Sequence, residues 1–187
     1  MTSGKKPSKP AKSETLLVEL LTEELPPQAL ARMGQALALK MREGLASAGL
    51  VDTDVEFDTF ATPRRLAVRA PKVRARAPDT QREVQGPPVN AAAQAVAGFA
   101  KKCGVAVGEL KQQDTAKGKF YTARVTTAGQ SLAGILAGRI EAALKALPVP
   151  KLMRWGAGEA QFVRPVHGLV MLHGSRIVPG AVLGIES

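Results

Sequence analysis

The 187-residue sequence has little cysteine, few aromatic side chains and no long apolar run. Cys103 is the only cysteine, which excludes a disulfide framework and fits a reducing compartment. Aromatic residues make up 4% of the chain, so a core must be built mainly from Ala, Val and Leu. No apolar run approaches the ~18–20 residues that cross a bilayer. We therefore expect a cytoplasmic protein with no membrane partner.

The N-terminus also has no apolar stretch that could act as a secretory signal. The first fourteen residues hold four lysines among Pro and Ser, a composition typical of disordered segments. This predicts a disordered basic tail over residues 1–14, followed by a folded region over residues 15–187. If that region divides into two subdomains, the Pro- and Gly-containing segment 78–90 is the expected boundary.

Recognisable catalytic motifs are missing from the sequence as well. It contains no GxxxxGK[ST] phosphate loop, no GxSxG elbow and no His/Cys spacing suited to zinc. Cys103 is interpreted as a small buried apolar residue. Glu23 and Glu24 precede a helix start and are interpreted as partners of the helix dipole, not as an acid–base pair. The sequence thus assigns no catalytic residue, metal ligand or cofactor to this chain.

Apolar periodicity predicts three amphipathic helices. Apolar residues recur at steps of three and four over residues 28–48, directly after Pro26 and Pro27, which favour a helix start. Asn90 is a candidate N-cap for a second helix over residues 91–103. Ser131 is a candidate N-cap for a third over residues 132–147.

Alternating apolar and polar residues predict the strands. The predicted strand segments are residues 16–21, 55–60, 65–70, 119–127, 162–172 and 177–185. Turns are expected at residues 61–63 and at Gly174–Ser175, and residues 78–90 are expected to be mostly loop. The predicted fold class is α+β, with a largely antiparallel sheet and about three amphipathic helices.

Positive charge is in excess and is concentrated in one part of the chain. Lys and Arg number 26 against 16 Asp and Glu, a net charge of +10 that suits a polyanionic partner. Seven cations fall within residues 64–82, ending at Arg82. The candidates for contact with nucleic-acid phosphate are Arg64, Arg65, Arg69, Lys72, Arg74 and Arg76. An extended backbone over residues 72–76 would place Lys72, Arg74 and Arg76 on one face as a row. The alternative is a charged strand edge that resists aggregation.

A second informative stretch is LPVPKLMRWG at residues 147–156, followed by FVRPVH at residues 162–167. Its polar and aromatic residues are unusual choices for a plain loop, and we assign them no role. They are Lys151, Arg154, Trp155, Arg164 and His167. In a purely structural alternative, Trp155 anchors the loop in the core, Arg154 and Arg164 pair with carboxylates, and His167 is a hydrogen-bonded structural histidine.

Several segments, taken in order, resemble the beta subunit of bacterial glycyl-tRNA synthetase. They are LLVELLTEELPP at residues 16–27, TPRRLA at 62–67, GPP at 86–88, GFA at 98–100, KG at 117–118, and the LPVPKLMRWG and FVRPVH pair. Any one of these segments alone is a weak signal, whereas the ordered set from residue 15 to residue 187 is specific. The segment 86–99 departs from the family because it looks shorter.

The resemblance implies a glycine–tRNA ligase, an α₂β₂ heterotetramer that joins glycine to its tRNA with ATP and Mg. In that family the catalytic core, with its ATP and glycine pockets, belongs to the alpha subunit. The beta subunit supplies tRNA recognition. The expected partners are therefore the alpha subunit and tRNA, whose phosphates would be the polyanion for the basic segment.

The resemblance leaves the extent and the role of this chain open. Family members continue for several times this length, so we expect an N-terminal portion without the HD-type helical domain and the anticodon-binding region. Two alternatives remain at this point. One is a free-standing basic RNA-binding module, and the other is an assembly scaffold without ligase activity.

Overall fold

The computed structural model describes residues 12–115, 118–149, 152–155 and 160–187. Residues 1–11 of the predicted tail, and Lys151, lie outside these ranges, whereas Ser13 and Glu14, which were predicted to belong to the tail, are part of the first strand. By contact density the chain forms two compact units. The larger unit comprises the chain up to Pro78 and from Gly129 onward, and the smaller unit is Asp79–Ala128.

Three α-helices and twelve strands make up the described part of the chain. The helices are α1 (Leu30–Ser47), α2 (Ala93–Cys103) and α3 (Leu132–Lys145). The strands are β1 (Ser13–Thr22), β2 (Asp58–Thr62), β3 (Arg65–Arg74), β4 (Thr80–Pro88), β5 (Lys111–Thr115), β6 (Gly118–Thr127), β7 (Met153–Arg154), β8 (Gln161–Phe162), β9 (Val166–His173), β10 (Arg176–Ile177), β11 (Ala181–Val182) and β12 (Ile185–Glu186). All their pairings are antiparallel, so the predicted α+β class is confirmed.

The larger unit is built on a five-stranded sheet with the order β10-β9-β1-β3-β2. One face of this sheet packs against α1, which contacts β2, β3 and α3. The predicted apolar stripe of α1 is buried at Met33, Leu37, Met41 and Leu45. The helix follows a 3-10 turn at Pro27–Ala29, in agreement with the start signal of the two prolines.

The third predicted helix has the predicted cap. The hydroxyl oxygen of Ser131 accepts a hydrogen bond of 3.2 Å from the Gly134 amide, and the helix runs from Leu132 to Lys145. Leu136 and Ile140 from this helix are fully buried in the same core as α1. In the described chain, none of the helices is both long enough and apolar enough to cross a membrane.

The smaller unit corrects the expectation of a loop at residues 78–90. Those residues form β4 instead, in a three-stranded sheet with the order β4-β6-β5. Its Pro87 and Pro88 have no amide proton to donate, but β4 is an edge strand and carries a register shift between Gln85 and Pro88. Hydrogen bonding to β6 thus outweighs the loop-like composition of residues 80–88. Strand β5 also pairs with β6, and its polar sequence gave no strand prediction.

The boundaries of several other elements also differ from prediction. The predicted strand over residues 162–172 is divided into β8 and β9, and the predicted strand over residues 177–185 is divided into β10, β11 and β12. The second helix begins at Ala93, with Ala92 at the N-cap and no capping side chain, so Asn90 is not the cap. The second strand is Asp58–Thr62, and its turn to β3 lies at Pro63 and Arg64, two residues later than expected. Cys103 is half-buried at the end of α2.

Candidate interaction site at one end of the sheet

Three of the motif segments meet at one end of the five-stranded sheet. Strand β1 lies between β9 and β3 and is antiparallel to both. The C-terminal end of β1, the β2–β3 turn and the N-terminal end of β9 therefore lie at the same end of the sheet. We call residues 22–27, 63–64 and 164–167 the motif end. Its backbone hydrogen bonds run from the Thr22 amide to Arg64 O (3.0 Å), from the Leu25 amide to Pro63 O (2.6 Å), and from the Glu23 amide to Pro165 O (3.0 Å). The segments are therefore held together by main-chain contacts.

Arg164 joins two of these segments through its side chain. Its Nε donates to the carbonyl oxygen of Glu24 at 2.9 Å, and its Nη1 donates to the carbonyl oxygen of Val163 at 3.0 Å. The guanidinium binds backbone carbonyls, whereas the structural alternative had it pairing with a carboxylate. Arg164 is half-buried, so these charge-assisted bonds are partly shielded from water.

The acidic pair at the motif end does not act on the helix dipole. Glu23 and Glu24 precede the 3-10 turn, and the first turn of α1 contains no acidic residue, so that interpretation is wrong. The carboxylate of Glu24 instead lies 3.5 Å from the guanidinium of Arg64, and both side chains are exposed. An open groove of about 460 Å³ is lined by residues 23–27, Pro63 and Arg164.

His167 lies in a β-bulge at the start of β9. Val166 pairs with Thr22 and Gly168 pairs with Leu21, which leaves His167 without an opposite residue. Its side chain is exposed and makes no hydrogen bond to a described residue. The other histidine, which the sequence did not single out, is the bonded one, because His173 Nε2 lies 2.8 Å from Val73 O.

The tryptophan segment runs beside the start of β8. Met153 pairs with Phe162 and Arg154 pairs with Gln161 in a two-stranded ladder. Trp155 is half-buried and packs against the main core, as its structural alternative held. Arg154 is exposed.

Most of the basic segment is neutralised by acidic neighbours. At least four of its six candidate cations form ion pairs: Arg64 with Glu24 (3.5 Å), Arg65 with Glu19 (3.1 Å), Arg69 with Asp58 (2.9 Å) and Arg74 with Asp52 (2.7 Å). The Nε of Arg76 donates to the carbonyl oxygen of Gly129 at 3.1 Å. The excess of positive charge in this stretch is therefore smaller than the sequence indicates.

The predicted row of Lys72, Arg74 and Arg76 on an extended backbone is wrong. Lys72 has a φ of 57° at a register shift in the β1–β3 ladder, and β3 ends at Arg74. Arg74 binds both carboxylate oxygens of Asp52, while Lys72 is exposed and has no ion pair with a described residue. Pro71 was the signal for this irregularity, because proline inside a strand is typical of bulges.

The arrangement at the motif end is suited to binding. Its open groove offers carboxylates, a guanidinium and proline rings, and the described residues contain no group of three or more His, Cys, Asp or Glu side chains that could hold a metal ion. The elements that present these groups are held by main-chain bonds, which favours a fixed binding surface.

Comparison with known proteins places the chain in a family. A family profile described as glycyl-tRNA synthetase beta subunit matches residues 16–187. The glycine–tRNA ligase beta subunit of Aromatoleum aromaticum is 48% identical over 186 residues, covering 92% of this chain. Those of a Neisseria meningitidis serogroup C strain and of Chromohalobacter salexigens are 44% and 46% identical over 94% of this chain. The chain spans about a quarter (26%) of the length of each of these relatives. It belongs to the glycyl-tRNA synthetase beta subunit family.

Proposed function

We propose that this chain is the N-terminal region of the beta subunit of a glycine–tRNA ligase. In that role it contributes to tRNA binding and to assembly with the alpha subunit into an α₂β₂ enzyme of the cytoplasm. The observation that carries the proposal is the family match over residues 16–187, together with the gathering of three motif segments at one sheet end. ATP and Mg would bind the alpha subunit.

The tRNA contact of this region is assigned to two of the six candidate cations, Lys72 and Arg64. Lys72 is exposed and stands at a bulge, a conformation that turns a side chain away from the regular ladder. Arg64 is 67% exposed, and its 3.5 Å pair with Glu24 is long. Arg65, Arg69 and Arg74 hold carboxylates at 3.1 Å or less, so a phosphate would have to displace those partners.

The salt dependence of tRNA binding tests this assignment. Lys72→Asn removes the charge at residue 72, and asparagine tolerates the positive φ of that position. Arg64→Gln removes the charge at residue 64. In the complete enzyme, each variant should reduce the log–log salt slope of tRNA binding by roughly 0.9 if its phosphate contact is duplex-like. Lys145→Asn, on the exposed end of α3, is the matched control and should leave the slope unchanged. Unchanged slopes for both test variants would refute the assignment.

Aminoacylation by the native complex tests the enzyme itself. The protein is tagged on the chromosome at its N-terminus, purified gently, and assayed for ATP-dependent attachment of each amino acid to bulk tRNA. The expected result is charging with glycine alone, together with a second, co-purifying polypeptide. Absence of charging and of a partner would overturn the proposal in favour of a free-standing RNA-binding module.

A further inference from the structure

The five-stranded sheet has a second face that the core does not use. Residues directly opposite each other in antiparallel strands lie on the same side, so the registers define this face. Leu17 of β1 pairs with Leu172 of β9 and with Arg69 of β3, and Leu172 pairs with Ile177 of β10. We call the side that carries these residues the open face.

The open face is opposite the side covered by α1. The alternate residues Leu16, Val18 and Leu20 are fully buried in the core, whereas Leu17 and Leu21 are half-buried and belong to no core contact. A Cβ placed on Gly34 of α1 would lie 3.4 Å from the Thr59 side chain, which fixes the side on which the helix packs. Helix α1, the described helix that contacts β2 and β3, therefore lies on the opposite side of the sheet, and Phe60 and Ile177 on the open face are 53% and 66% exposed.

One half of the open face is apolar. It carries Leu17, Leu21, Val170, Leu172 and Ile177 on three adjacent strands. Ile177 is 66% exposed, and the Leu21 side chain lies across Gly168, where no Cβ separates the two strands. Glu19 lies between Leu17 and Leu21 and opposite Val170, so the aliphatic side chains surround one carboxylate. A partly exposed aliphatic patch of this kind is typical of an interaction surface.

The other half of the open face is polar and electrically neutral. Arg65 pairs with Glu19 at 3.1 Å, and Arg69 pairs with Asp58 at 2.9 Å. Phe60, 53% exposed, stands between the two pairs on the edge strand. With each of these cations already neutralised, the face offers little to a polyanion, and its aliphatic half fits a protein surface.

The size of the open face indicates which protein covers it. Five strands about 4.8 Å apart and about six residues of length give a face of roughly 20 by 20 Å, or about 400 Å² per partner. That is about half of the ~800 Å² per partner in a standard interface between separate proteins. It lies within the range of contacts between domains of one chain, where the tether raises the effective concentration. The relatives carry about three quarters of their length outside the matched part.

We infer that the open face is an intramolecular docking surface for the part of the beta-subunit polypeptide that lies beyond these 187 residues in the longer relatives. The docked segment presents aliphatic side chains to the Leu17–Leu172 half and polar groups to the two ion pairs. This inference requires a full-length beta subunit but no bound tRNA and no catalytic activity.

Photo-crosslinking in the complete enzyme identifies the occupant. Phe60 is replaced by p-benzoyl-phenylalanine, and the same replacement at Leu39 is the control, because Leu39 is comparably exposed (43%) on α1, away from the open face. The expected product joins residue 60 to a peptide beyond residue 187 of the same polypeptide, and mixing ¹⁵N- and ¹⁴N-labelled copies shows that it is intramolecular. A product with the alpha subunit, with a second beta subunit or with RNA would overturn the inference, as would a yield no higher than at residue 39.

Thiol labelling gives a second, independent measurement. In the complete enzyme with Cys103→Ala, Ile177→Cys on the open face (66% exposed) and Ala133→Cys on the exposed side of α3 are reacted with a maleimide and followed by peptide mass. Residue 177 should react at least about tenfold more slowly, as expected for a site that reacts only after local opening. Equal rates would show an uncovered face. If the open face is covered while glycine charging fails, the proposed function is wrong and this inference stands. If glycine charging succeeds while the open face is uncovered, the proposed function stands and this inference is wrong.

Discussion

Several arginine side chains bind acidic or backbone groups of this same chain. The guanidinium groups of Arg65, Arg69 and Arg74 each hold a carboxylate, and that of Arg164 holds two backbone carbonyls. Exposed ion pairs contribute little free energy each, whereas a half-buried guanidinium bonded to main-chain oxygens fixes the path of the backbone. Arg164 is therefore the residue whose loss matters most at the motif end.

Replacement of Arg164 by Ala should lower the free energy of unfolding by about 1–2 kcal/mol, because two charge-assisted hydrogen bonds to carbonyl oxygens are lost. Arg154→Ala is the matched control, because Arg154 is exposed in the neighbouring β7–β8 ladder. This change should alter the free energy of unfolding by less than about 0.5 kcal/mol. Urea unfolding of both variants gives the comparison. Equal effects would show that the Arg164 bonds do not stabilise the motif end.

The Glu14 carboxyl should titrate below its ordinary value of 4.5. The Lys12 ammonium donates a hydrogen bond to it at 2.6 Å and lowers its pKa, an effect to which the charges of Lys12, His173 and Arg176 add. A lowered folded-state pKa means that the associated stability is present above the unfolded value and is lost as the pH falls through the folded one. Carbon-detected NMR titration measures this, and Lys12→Ala should raise the pKa. A pKa unaffected by that change would contradict the assignment.

At the scale of elements, helix ends and strand bulges set the local geometry. The hydroxyl of Ser131 caps α3, whereas Ala92 leaves the first amides of α2 without a side-chain acceptor. The five-stranded sheet has two register shifts, and each of them presents an exposed cation or imidazole, Lys72 in one and His167 in the other. Bulges of this kind re-aim side chains away from the regular alternation.

Substitutions at the two N-caps should have effects of opposite sign. Ser131→Ala should destabilise the larger unit by about 1 kcal/mol, and Ala92→Ser should stabilise the smaller unit by up to about 1 kcal/mol. Amide hydrogen exchange within α3 and α2 reports each change separately. The same sign for both substitutions would show that capping is not what distinguishes the two helices.

At the scale of the whole molecule, the chain passes from the larger unit to the smaller one after Pro78 and returns at Gly129. The return is tightly packed, because a Cβ on Gly129 would fall on the carbonyl oxygen of Ala77. Ala77 donates its amide proton to Gln130 O at 2.9 Å, so the outgoing and returning segments are bonded there. These contacts hold the outgoing and returning segments of the larger unit together.

Gly129→Ala should therefore lower the free energy of unfolding by about 2 kcal/mol or more, since a backbone atom would have to move. Gly138→Ala is the matched control, because Gly138 lies within α3 with open space around its Cα. That change should stabilise the protein by about 0.5–1 kcal/mol through helix propensity. Thermal unfolding distinguishes the two variants. An unchanged stability of Gly129→Ala would show that the backbone at residues 77 and 129 can move apart at little cost in free energy.

Local chemistry explains which predictions the structure confirmed. The apolar stripe of α1, the Ser131 cap and the hairpin turn at Gly174–Ser175 depend on residues close in sequence, where periodicity and capping act directly. The edge strand β4 and the bulge at Lys72 depend on a partner strand far along the chain. A segment whose own sequence predicts a loop or a regular strand adopts a different structure once a distant strand supplies its hydrogen bonds.

The sequence by itself determined the family, the fold class and the identity of the motif segments, because ordered residue patterns and hydrophobic periodicity are local properties of the chain. Only the tertiary structure decided that those segments meet at one sheet end, that most of the basic candidates are already paired, and that an apolar sheet face remains open. Each of these depends on register and strand order. Long-range pairing sets both, and the physical reason is that a shift of one residue exchanges the two faces of a strand.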